Sequence, residues 1–178
     1  MALGHRRDVA AYSDLVTARS GSLFQTAYLM VGDHQLAQDL LQESLVKTYV
    51  AWPRFRDVSK AEAYTRRTIV TTAISWRRRR SFHERPVDVL PEVGVPDRVD
   101  ELATRDALWT QLHLLPPRQR AAIVLRYYHD LSEAQTAEAM GCSVGAVKSQ
   151  TSAGLSKLRD RMGPEVALFT TTDQRTTP

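Results

Sequence analysis

The chain has 178 residues, 43% hydrophobic and 25% charged, a globular balance that allows one ordinary domain or two small ones. Its net charge of +4 and pI near 9.5 favour an anionic partner, and the excess is local: Lys60 to Arg85 holds eight basic residues against two acidic ones. A single cysteine, Cys142, excludes an internal disulfide, and the five scattered histidines lack zinc-ligand spacing, so neither a metal nor a cofactor is expected.

Near the N-terminus the longest apolar stretch, LFQTAYLMV, is too short and polar for a membrane span, and Met1 to Ser20 lacks a signal-peptide core, so a cytoplasmic protein is expected. From His34 to Trp52, Leu36, Ala37, Leu40, Leu41, Leu45, Thr48, Tyr49 and Trp52 follow helical spacing, with Asp33 as N-cap and Pro53 as stop. The opposite face carries Gln38, Asp39, Gln42 and Glu43. A second long helix is expected from about Lys60 to Arg80, burying or half-burying Tyr64, Ile69, Ala73 and Trp76. Its four threonines (65, 68, 71 and 72) predict a bend or break near Thr71, since threonine is a poor helix-interior residue.

ERPVDVLPEVGVPDRVD, with three prolines and no period, reads as a linker. Helix resumes near Asp100 and runs to Leu115, and Pro117 opens the next, carrying Ala121, Val124, Leu125 and Tyr128 inward. In LSEAQTAEAMGCSVGAVKSQTSAGLSKLR, Ser132 and Ser143 cap two helices around a Gly141 turn. Ala137, Gly141, Val147, Leu155 and Leu158 supply the small and apolar inner positions of a helix-turn-helix. Gly145, Ala146, Lys148, Ser149 and Ser152 face outward and are short enough to reach base edges in a major groove. The structural alternative is a helical hairpin that only packs. The fold expected is all-α: two small helical domains, 8–81 and 100–162, joined by a flexible linker, 82–99, and followed by a disordered tail, 163–178.

LPPRQRAAIVLRYYHDLSEAQTAEAMGCSVGAVKSQTSAGLSKLR resembles the promoter-binding domain of extracytoplasmic-function sigma factors of bacterial RNA polymerase, in its closing segment an actinobacterial branch. DHQLAQDLLQESLVKTY resembles the same family's core-binding helix, and AEAYTRRTIVTTAISWRRRR the helix that follows it. The resemblance implies a non-catalytic polymerase subunit, with core RNA polymerase (its largest subunits) and promoter DNA as partners and an anti-sigma factor as a third where one exists.

By the same resemblance, Asp39, Gln42 and Glu43 dock on core polymerase. Arg66, Arg67, Thr71, Trp76 and the run Arg77, Arg78, Arg79 and Arg80 open and read the −10 element, where stacking an unpaired base on an aromatic is worth about 1–3 kcal/mol. Trp76 fits a core position equally well. Thr71 stands where many relatives carry an asparagine that contacts a flipped base. Lys148, Ser149 and Ser152 match −35 reading positions; Ser143 joins them at the helix start, and Arg118 holds phosphate. Ala153 replaces a basic residue common in relatives, which shifts −35 specificity toward DNA shape and backbone contacts. Two other readings compete: a free-standing helix-turn-helix regulator that never binds polymerase, and an RNA-binding protein built on the arginine run.

Overall fold

A computed structural model describes the backbone over residues 2–55, 57–80 and 100–163, and side chains over 9–55, 57–76 and 107–163. The expected linker at 82–99 and the tail beyond Gly163 lie outside the described residues. Within them, every regular element is a helix: α1 (Ala2–Val31), α2 (His34–Ala51), α3 (Val58–Arg80), α4 (Asp100–His113), α5 (Pro117–Ile123), α6 (Glu133–Met140) and α7 (Val144–Met162). A 3-10 turn at Trp52–Arg54 ends α2, and a π turn at Val124–Tyr128 extends α5.

The helix ends follow local chemistry. Asp33 accepts a hydrogen bond from the Leu36 amide at 2.8 Å, and Pro53 lies in the 3-10 turn. Pro117 occupies the first turn of α5, where a missing amide proton costs nothing. The expected break near Thr71 is absent: α3 runs unbroken through it. Three of its four threonine hydroxyls turn back on the helix: Thr65 donates to the Ala61 carbonyl at 2.8 Å, Thr68 to Tyr64 at 2.8 Å and Thr71 to Arg67 at 2.9 Å, while Thr72 Oγ1 accepts from Lys47 Nζ of α2 at 3.3 Å. This bonding satisfies the hydroxyls inside a buried surface without breaking the ladder. Thr65 also meets Thr48 of α2 at 2.9 Å, a buried polar clasp between the two helices.

Helix α1, which the periodicity reading passed over, supplies Leu15, Leu23, Ala27 and Met30 to the interior and packs on α2 and α3 as a three-helix unit. Helices α4 to α7 form the second unit. Where α5 and α7 cross, buried Gly154 permits close approach, since a methyl group there would meet Ile123 Cδ1 at 2.7 Å. The two units do not have separate cores. Leu23, Ala27, Met30, Leu40, Ile69 and Val70 of the first form one apolar cluster with Ala121, Ala122, Leu125, Ala137, Met140 and Val147 of the second. A second cluster sets Leu29 of α1 among Leu112, Leu115, Val124 and Leu158.

Candidate nucleic-acid and polymerase interface

The helix-turn-helix is built from its caps upward. Ser132 Oγ accepts from the Gln135 amide at 3.2 Å while Gln135 Oε1 accepts from the Ser132 amide at 2.8 Å, a complete capping box. Gly141 takes a left-handed conformation, φ 62°, that closes α6, and Ser143 Oγ then caps α7 through the Ala146 amide at 3.2 Å. Ala137, Val147, Leu155 and Leu158 point inward as their spacing predicts. Ser143, Lys148, Ser149 and Ser152 form an exposed strip along the start of α7, with Lys148 tethered to Glu133 of α6 at 3.5 Å. Arg118 is exposed at the start of α5.

On α2, Asp39 and Gln42 are exposed, while Glu43 is half-buried and holds Lys47 at 2.6 Å. The same outward stripe continues through Val46, 63% exposed, and Val50, 74% exposed, one and two turns further on. Sequence reasoning missed these two because it sought apolar residues only on the inner face. Tyr49, expected to face inward, is exposed instead, and Tyr128 departs from expectation in the same way. At both, the aromatic ring lies at the edge of a packed surface: Tyr49 is edge-on to Tyr12, and Tyr128 to Trp109.

The −10 candidates are spread around α3. Arg67 is exposed, and Thr71 is half-buried with its hydroxyl committed to the helix backbone. Trp76 is half-buried against the shared apolar cluster. Arg66 is only 19% exposed and bonds Glu62 at 3.0 Å, and Arg19 of α1 holds the same carboxylate at 3.1 Å. The backbone of α3 carries Arg77 to Arg80 in its last turn, and their side chains lie outside the described residues. Lys60, Arg66 and Arg67 line a groove of about 460 Å³ together with Phe55 and Tyr64, and its far wall is Leu131, Gln135, Glu138 and Ala139.

Polar ties cross from one unit to the other. Arg120 of α5 is fully buried and donates to the carbonyls of Leu112 (3.0 Å), His113 and Leu115 (3.2 Å) at the end of α4, and to Met30 at the end of α1. Its charge therefore meets the carbonyl ends of two helices, where the macrodipole favours a cation. His113 Nε2 donates to the Tyr28 carbonyl at 3.2 Å, with its ring against Gly32. His129 follows the π turn and meets Thr26 of α1 at 2.9 Å. Since Thr26 Oγ1 donates its proton to the Ser22 carbonyl, His129 Nε2 is the donor in this pair. Burial, reinforced by the Arg66 charge, lowers the His129 pKa from 6.5 to about 4.

The fold thus defines a two-unit helical protein with a complete helix-turn-helix and a cation-bearing helix beside it. No helix among the described residues is long and apolar enough to cross a membrane. The family description Sigma-70 region 2 matches residues 15–83, and Sigma-70, region 4 matches 105–158. The RNA polymerase sigma-E factors of Streptomyces avermitilis and Streptomyces coelicolor are each 37% identical over 155 residues, covering 87% of this chain and 87% and 88% of theirs. The ECF RNA polymerase sigma factor SigW of Bacillus subtilis is 25% identical, covering 87% of this chain and 90% of that protein. Among solved structures, the Bartonella quintana sigma factor RpoE, in complex with the anti-sigma factor NepR, shares the fold: TM-score 0.62, 23% identity, 84% of this chain and 94% of that one.

The chain belongs to the extracytoplasmic-function sigma factors of bacterial RNA polymerase. It is a transcription initiation factor and not an enzyme: it binds core polymerase and directs it to promoters through −10 and −35 contacts. The region 2 match over residues 15–83, beside the region 4 match, removes the free-standing regulator.

Proposed function

We propose a division of labour among the surfaces of this sigma factor. Residues 8–81 form the polymerase-binding and −10 unit, 82–99 the connection, and 100–162 the −35 unit. Core polymerase docks on the outward stripe of α2 through Asp39, Gln42 and Glu43, and Val46 and Val50 extend the contact. The observation that carries this assignment is the pair of exposed valines beside the polar triplet, an apolar strip with a charged rim, as protein interfaces have.

The −10 element is held by Arg67, Thr71 and the arginine run, with Arg66 and Trp76 available to it once their present partners release them. The −35 element is read by Ser143, Lys148, Ser149 and Ser152, short side chains on an exposed helix face, with Arg118 on a phosphate. Work of this kind places the protein in the cytoplasm, beside the polymerase. A solved relative binds an anti-sigma factor, and a regulator of that kind is proposed for this chain too.

The test is gel filtration with core polymerase from a related bacterium, followed by transcription on a promoter library. Comigration and start-specific transcripts are expected. Replacing Asp39, Gln42 and Glu43 together by alanine should abolish comigration with the helical circular dichroism unchanged. Retained binding in that folded variant would reassign the docking face.

A further inference from the structure

We propose that Glu133 is a specificity-determining residue of this sigma factor: it aims Lys148 at a G·C pair of the −35 element and keeps it off the phosphates. The inference rests on the start of α7 reading that element, and it adds a residue of α6 to the reading surface.

The composition of the exposed strip makes Lys148 decisive. From Ser143 to Ser152 the exposed residues are Ser143, Val144, Gly145, Lys148, Ser149 and Ser152, of which Lys148 alone is long and alone is charged. A lysine by itself is a poor reader of sequence. Its ammonium is a point charge on a flexible four-carbon stem, and such a charge settles on the nearest phosphate, which carries no sequence information.

Glu133 removes that freedom. Its Oε2 lies 3.5 Å from Lys148 Nζ, across the turn that joins α6 to α7. The carboxylate stands on a fixed base, since Glu133 opens α6 directly after Ser132, inside the capping box whose two hydrogen bonds hold the first turn. The pair is not consumed by the fold. Its side chains are 64% exposed at Lys148 and 41% at Glu133, and an exposed ion pair of this kind contributes little to stability. What it sets is the direction of the one long cation on the strip.

Two chemical consequences follow from that placement. An ammonium has three N–H donors; with one given to Glu133, two remain for guanine O6 and N7, while the carboxylate, an acceptor only, can take the cytosine N4 amino group. Adenine offers the ammonium one acceptor and puts its N6 donor where guanine has O6, so the pair favours G·C over A·T. The second consequence is repulsive. A carboxylate on the reading surface disfavours any register that lays α6 against a phosphate, so it weakens binding to wrong sequences. Removing its charge should therefore tighten non-specific binding, the opposite of losing a contact.

The test uses holoenzyme assembled on core polymerase from a related bacterium and promoter duplexes in which each −35 pair is substituted in turn, with affinities read by fluorescence anisotropy across a salt series. Wild type is compared with Glu133→Gln, which keeps the side-chain length, with Lys148→Met and with the double variant. In Glu133→Gln, discrimination of G·C from A·T at one −35 position should fall at least about fivefold, the lower end of what a bidentate base contact contributes. Affinity for a duplex with a scrambled −35 element should rise, and the logarithmic salt slope should steepen by about 0.9 as Lys148 moves to a phosphate. Lys148→Met should lose discrimination at the same position, and Glu133→Gln should then change it no further.

Unchanged preference at every −35 position in Glu133→Gln would overturn the proposal. So would a uniform loss of affinity accompanied by a lower melting temperature, which would make the pair a structural clasp. Ser149→Ala separates the two levels of the argument. If it alters a −35 preference while Glu133→Gln does not, only the role of Glu133 fails; if neither Ser149→Ala nor Lys148→Met alters any, the assignment of α7 to the −35 element fails and the role of Glu133 with it.

Discussion

At the scale of single residues, the boundary between the units is where side chains depart furthest from their solution behaviour. Arg120 is a fully buried arginine, stabilised by hydrogen bonds to four carbonyls at or just past two helix ends. His129 is neutral for the opposite reason, since burial next to Arg66 disfavours the imidazolium. Its folded pKa of about 4 lies below the unfolded value of 6.5, so between these limits the unfolded chain binds more protons and stability rises with pH. The contribution, roughly 3 kcal/mol, is fully present above pH 6.5, is lost as pH falls, and is gone below about pH 4. Thermal denaturation between pH 4 and 7.5 should show this slope in the wild type and a shallower one in His129→Asn.

At the scale of elements, the caps and the exposed stripes behave differently under substitution. Ser132 closes a reciprocal capping box on a helix of eight residues, too short to persist without its ends satisfied. Ser132→Ala should lower the chain's stability by about 1 kcal/mol in urea denaturation and weaken −35 binding with it. Val46 and Val50, in contrast, support nothing inside the fold. Val46→Asp with Val50→Asp should leave the denaturation midpoint within about 0.5 kcal/mol of the wild type. The same pair should reduce core-polymerase affinity at least tenfold, measured by fluorescence anisotropy. A loss of stability instead would make the stripe part of the core.

The threonines of α3 show how an element-level expectation fails. Threonine propensity, taken alone, predicts a break near Thr71, but α2 and the helix backbone offer every hydroxyl a partner, and packing overrides propensity.

At the scale of the whole molecule, charge is concentrated on one helix. Most of the basic residues between Lys60 and Arg85 lie along α3, the helix assigned to the −10 element, with Arg77 to Arg80 in its last turn. If Arg77 to Arg80 all meet phosphates, the logarithmic salt dependence of promoter binding steepens by about three to four units, at 0.7–0.9 per contact. Replacing the run with glutamine should therefore flatten the salt slope of holoenzyme binding and weaken binding to many promoter sequences alike. A defect confined to one promoter would make the run a base reader.

Much of this was legible in the sequence, because it is local chemistry. The N-caps Asp33, Ser132 and Ser143, the left-handed Gly141, Pro117 at a helix start and the inward residues of the helix-turn-helix each depend on neighbours a few positions away. Only the tertiary structure could decide which outward faces stay outward. Val70 and Val46 are both valines on long helices, yet one is fully buried under the second unit and the other stands in solvent. Arg120 and Met30 lie 90 positions apart, and Thr26 and His129 lie 103 apart. No period along the chain encodes such pairs, because they arise only when surfaces distant in the chain meet and exclude water together.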